Sequence, residues 1–161
     1  MPFTPFHFGP GIAMYAMAPK RMSLLAFCAA NVLIDVEPLY FMLTEQYPLH
    51  RFFHTYIGAS LVVLLILGLF ISVRKLSRIT YLPNILGWKQ LEVMQIFVGA
   101  TLGAYSHIAL DSLMHGDIQP FAPFSETNPL LGIVSLDALH GSCVISGIAG
   151  IIIVVFRWNA R

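Results

Sequence analysis

Long apolar runs, separated by proline, glycine and short charged segments, restrict this chain more than any other feature. One of them, from about His50 to Val73, ends in the basic stretch Arg74, Lys75 and Arg78. At about 1.5 Å rise per residue, a helix of that length covers the ~30 Å hydrocarbon core of a bilayer. Lipid offers no partner to backbone polar groups, so such a run has to satisfy them internally as a helix. Composition agrees: 57% of the 161 residues are hydrophobic and 11% are charged. A soluble domain carries about a quarter charged residues. The expected fold is an all-α integral membrane protein, a compact bundle of about five helices forming one membrane-embedded domain over residues 1–161.

The breaks predict the helices. Thr4 and Pro5 open a short first helix that runs to about Ala18 and is stopped by Pro19; it is too short to span comfortably. The second runs from Met22 toward Glu37, where Pro38 interrupts the ladder and Leu39 to Leu43 add a further turn. The third covers about His50 to Val73, the fourth Gln90 to Met114, and the fifth runs from a Ser135 cap to near Phe156. Lys20, Arg21, Arg74, Lys75, Arg78, Lys89, Arg157 and Arg161 then fall on one side, with only Arg51, Glu45, Asp117 and Glu126 on the other. By the positive-inside rule the basic side is cytoplasmic. The chain is thus expected to be a multi-pass protein of the inner (plasma) membrane, its C-terminus cytoplasmic and the loops carrying His50 and His115 facing the periplasm or exterior. With its first positive charge at Lys20, the N-terminus lacks the basic region of a cleavable signal peptide. A net charge of +1 gives no reason to expect nucleic acid. Cys28 and Cys143 lie in apolar helices without CxxC spacing and read as packing residues.

All six histidines, His7, His50, His54, His107, His115 and His140, fall toward the side opposite the basic residues. Ionisable groups in membrane segments are expensive and mark function. The fourth helix carries Gly99, Gly103, His107 and Asp111 at four-residue intervals, hence on one face. His50-x3-His54-x3-Gly58 reads as a similar stripe on the third helix; Asn31 and Asp35 share a face of the second, and the first offers His7-x3-Gly11. Taken singly, His115 or His140 is an ordinary interfacial histidine, and His107 with Asp111 a structural pair bridging helices. Taken together, four helices bring His or Asp to one outer depth. Imidazole with carboxylate suits zinc, and manganese or iron nearly as well.

The elements Asp-x-Glu-Pro (Asp35 to Pro38), His-Arg-x2-His-Thr (His50 to Thr55), Gly-x2-Ser-His-x3-Asp (Gly103 to Asp111) and Gly-x3-Pro (Gly116 to Pro120) follow an N-terminal His. In that order the chain resembles the inner-membrane-associated, metal-dependent hydrolases of the YdjM type, over about residues 3–123. It departs from their pattern in two places: the histidines of the His-Arg motif are one residue closer, and Met114 or His115 stands where Thr is usual. His50 and His54 therefore both stand as ligand candidates. The ligand order is also similar, more distantly, to the zinc-dependent phospholipase C and nuclease fold, which implies His115 as a later ligand.

The resemblance and the register together imply metal-assisted hydrolysis of an ester or phosphoester in a lipid-like or other small-molecule substrate, with membrane lipid as the surrounding partner. His54, His107 and Asp111 would hold one divalent metal, zinc first; Asp35 with His7 or His50 would complete it or hold a second. Glu37 is the candidate general base, Arg51 a partner for phosphate, and the loop Gly116 to Phe124 shapes access. Two other classes use the same residues: a metal or proton transporter, which with five helices needs a homodimer, and a scaffold whose polar cluster only fixes packing. The apolar inner runs Val62 to Phe70 and Ile148 to Phe156 argue against a transport path.

Overall fold

Apolar runs and their breaks become five α-helices in the computed structural model, which describes residues 5–159. They are α1 (Phe8–Met17, after a 3-10 turn at Pro5–His7), α2 (Leu24–Leu43), α3 (Tyr56–Leu76), α4 (Val93–Met114) and α5 (Leu136–Asn159), with no strand among the described residues. The last four have 20, 21, 22 and 24 residues and are apolar enough to cross a bilayer. With 10 residues, α1 reaches only about 15 Å, half of the ~30 Å core. The expected Thr4 cap lies outside the described residues.

Local chemistry sets the ends. The Ser23 hydroxyl accepts the N–H of Ala26 at the head of α2, and Thr55 accepts that of Gly58 at the head of α3. Glu92 and Gln95 form a capping box on α4. Ser135 accepts the N–H of Ala138, as its predicted capping role requires. Pro38 lies inside α2, which continues without a break to Leu43.

Side by side and parallel, α2 and α4 meet where Ser23 N–H donates to Gln95 O at 2.9 Å. The glycines of α4 make this approach possible: a Cβ on Gly99 would lie 2.2 Å from Ser23 O, and one on Gly103 2.5 Å from Phe27 O. Antiparallel to both, α3 closes a buried core of Ala26, Ala30 and Ile34 with Ala59, Val62, Val63 and Ile66 and with Ile96, Ala100, Ala104 and Ile108. The same close approach recurs between α1 and α5, where added Cβ atoms on Gly9 and Gly150 would strike the backbone at Cys143 and Ala13. The helix directions place Lys20, Arg21, Arg74, Lys75, Arg78, Lys89 and Arg157 at one end of the bundle, and the ends of α2 and α4 that carry Asp35 and Asp111 at the other.

One expectation is corrected. His50 and His54 do not form a helical stripe, because α3 starts only at Tyr56. The Thr55 cap fixes that start, and Glu37 Oε2 accepts the N–H groups of Arg51 (3.1 Å) and Phe53 (3.0 Å), holding the preceding segment in a 3-10 turn at Phe52–His54. Gly58 lets that turn fold back onto α3, since its Cβ would lie 2.0 Å from Phe52 O.

A candidate metal centre of histidines and carboxylates

At the non-basic end, Asp35 from α2, His54 from the turn before α3, and His107 and Asp111 from α4 converge. Each offers one ligand atom, and these atoms all lie within 4.8 Å of one another. All four residues are buried, His54 and His107 completely. His107 Nε2 lies 3.4 Å from Asp35 Oδ1 and 3.2 Å from Asp111 Oδ2, while His54 Nε2 lies 3.5 Å from Asp111 Oδ2. These buried imidazole nitrogens make no hydrogen bond of good geometry.

The tautomer of His107 follows from its other side. Asn31 Nδ2 donates to Phe27 O at 2.9 Å, so its Oδ1 is the atom 3.0 Å from His107 Nδ1 and must accept there. Nδ1 therefore carries the proton, and in the neutral ring the Nε2 lone pair faces two carboxylates. Lone pair against anion is repulsive, and two buried carboxylates are costly without compensation. A divalent cation removes both costs. Tetrahedral zinc with ligands near 2.0–2.1 Å spaces them about 3.3 Å apart; three of the pairs here stand at 3.2–3.5 Å and all lie within 4.8 Å. The donor set thus fits a metal, and the Asn31–His107 bond is the usual outer support of a metal-ligating imidazole.

Other predicted residues surround this group. His7 Nε2 is 2.9 Å from Asp111 Oδ1, and the His7 ring stacks on that of His107 at 4.4 Å. Glu37 Oε2 stands 3.5 Å from His54 Nδ1 while accepting the two backbone N–H groups described above. His50 comes from the loop: its ring is 4.5 Å from those of both His54 and His115, and its Nδ1 is 2.9 Å from Asp117 Oδ1. Asp117 Oδ2 also accepts the N–H groups of Leu49 and His50; against burial, the bond to the His50 ring first and these backbone donors after it hold the carboxyl below the usual range. Burial, reinforced by neighbouring His54, pushes the His50 imidazole below its ordinary pKa, and burial does the same for His115. Arg51 lies over the Phe41 ring at 3.6 Å and donates from Nε to Pro48 O, lining a cavity with His50, Thr55, Asp117 and Gln119. His140 stands apart, stacked on Phe6.

Two contributors carry no local sequence signal. Asp117 meets His50 across 67 residues. Asn128 Nδ2 donates to Ser112 O and His115 O, pinning the loop that presents His115. Replacing Asn31 by Ala leaves His107 Nδ1 without its acceptor. Metal affinity measured by chelator competition is expected to fall about 10–100-fold; an unchanged affinity would remove Asn31 from the centre.

Fold and site define a multi-pass helical membrane protein with a buried His/Asp group able to hold a metal ion. The chain belongs to the YdjM inner membrane protein family, whose model matches residues 1–160. No curated protein and no solved structure matches it.

Proposed function

We propose that this chain is a metal-dependent hydrolase that cleaves an ester or phosphoester in a lipid-like substrate at the extracytoplasmic face of the inner membrane. The observation that supports it most is the set of buried, unsatisfied imidazole nitrogens of His54 and His107 held 3.2–3.5 Å from the Asp35 and Asp111 carboxylates. Such a cation, with zinc first by the mixed nitrogen and oxygen donors, supplies Lewis acidity and brings the pKa of water toward neutrality.

The protein's own groups have distinct tasks in this reading. His54, His107, Asp35 and Asp111 hold the ion, and Asn31 and His7 orient His107 and Asp111. Glu37 fixes the turn bearing His54 through Oε2, which leaves Oε1 as the oxygen that can take a proton from water. Arg51 offers its remaining N–H groups to a phosphate. Its cavity sets Pro48, Phe52, Ala122 and Pro123 beside His50, Asp117 and Gln119, an amphipathic lining suited to the junction of headgroup and acyl chain. The one-sided distribution of basic residues supports the reading in which this end faces outward. Toward the basic end the buried residues include Ser23, Ala26, Ala30, Val62, Val63, Ile66 and Ala100, and among the described residues no group of His, Cys, Asp or Glu able to hold a metal lies there, which supports hydrolysis over transit.

The test uses protein purified in detergent and mixed with phospholipid vesicles and fluorogenic phosphodiesters and carboxylic esters. Turnover is expected that chelation abolishes and zinc or manganese restores. Turnover insensitive to chelation, or protein that takes up no metal on reconstitution, would overturn the reading.

A further inference from the structure

Three residues beside the buried group form a second arrangement. His50, Asp111 and His115 each present a ligand atom, all within 4.8 Å of one another. His50 comes from the loop after α2; Asp111 lies near the end of α4, and His115 immediately follows that helix. His50 is 6% exposed, and its Nδ1 is tied to Asp117 Oδ1 at 2.9 Å. Asp117 accepts there, so Nδ1 carries the proton and the Nε2 lone pair is left for another partner. A carboxylate behind one ring nitrogen is the arrangement that fixes a metal-binding imidazole. His115 is held by its N–H to Asp111 O at 2.8 Å and by Asn128 on its carbonyl.

We infer that His50, His115 and Asp111 form a second divalent-metal position, with the Asp111 carboxylate shared between it and the buried group. This inference rests on the hydrolase reading above and deepens it. The two positions differ in a way that assigns their tasks. Asp35, His54, His107 and Asp111 supply four protein ligands in a buried place, so an ion there is enclosed on more sides than one at the second position. The second position has three protein ligands and borders an open depression lined by Tyr47, Pro48, Leu49, His50, His115 and Asp117. Three protein ligands with an accessible fourth place leave room for water or substrate beside the buried ion. Charge points the same way. Asp35, Glu37, Asp111 and Asp117 gather around the histidines, and all six ion pairs among the described residues involve histidine. One divalent cation leaves part of that negative charge uncompensated; a second balances it.

The experiment is metal stoichiometry by elemental mass spectrometry on zinc-loaded, detergent-purified protein, with electron paramagnetic resonance on the manganese-loaded form. Wild type is expected to hold two equivalents per chain and to show exchange-coupled manganese. His115→Ala and His115→Gln, both at a half-buried loop position, are expected to keep one equivalent and lose the coupling. A wild type holding a single equivalent, or two that His115 variants retain with coupling intact, overturns the second position and leaves the hydrolase reading standing. A wild type that takes up no metal overturns both.

Discussion

Asp111→Asn is expected to strip the protein of metal and of hydrolytic turnover while its helix content stays at the wild-type level. Asp111 is the one residue common to both ligand groups, and its carboxylate also meets His7 at 2.9 Å, His107 at 3.2 Å and His54 at 3.5 Å. The amide keeps the volume and removes the charge, so the loss reports electrostatics rather than a cavity. Metal affinity should fall by more than about 100-fold, the upper end of what losing an outer-sphere partner costs. The measurement is metal content beside far-ultraviolet circular dichroism. Retained stoichiometric metal with a normal fold would show that the carboxylate only packs.

The second large effect concerns the small residues under the site. Gly99→Ala and Gly103→Ala put a methyl 2.2 Å from Ser23 O and 2.5 Å from Phe27 O, both main-chain atoms that cannot swing aside. Overpacking of this kind costs about 1–3 kcal/mol, and a backbone obstacle places these changes toward the upper part of that range. Gly103 lies one turn before His107, so its variant should also lose metal affinity. Gly68→Ala is the control. A Cβ at Gly68 has nothing within 4 Å, and alanine in mid-helix gains about 0.5–1 kcal/mol over glycine. Unfolding in denaturing detergent compares the three; equal midpoints would mean that α2 and α4 separate without cost.

How far the molecule is legible in its sequence depends on the range of each contact. The spacing of Gly99, Gly103, His107 and Asp111 is readable because four-residue intervals on a helix share a face whatever the neighbours do. The membrane-spanning helices are readable from length and apolarity. His50 and His54 mislead because the same spacing lies just before a cap: Thr55 starts the helix two residues after Phe53, and Glu37, fourteen residues before Arg51, fixes the turn. Nothing local announces that. Asp117 behind His50 and Asn128 behind His115 depend on how a proline-rich loop folds over the end of α4, a matter of tertiary structure alone. Pro38 reads as an interruption followed by a further turn to Leu43, and α2 runs through it to Leu43, carrying Glu37 to the turn it holds.

The pairing of α1 with α5 bears on how the protein is made. His7 meets Asp111 only when α1 is seated, and α1 packs along α5 through glycine contacts, its Ala16 carbonyl accepting from the Arg157 guanidinium 141 residues later. Synthesis therefore delivers α2, α3 and α4, with Asp35, His54, His107 and Asp111, before the helix that cradles α1 has left the ribosome. During that interval α1, about half a bilayer long, lacks its principal neighbour. His7, translated before the histidines of the other helices, is thus among the last to reach its place, and closure of the centre reports that α1 to α5 have been assembled.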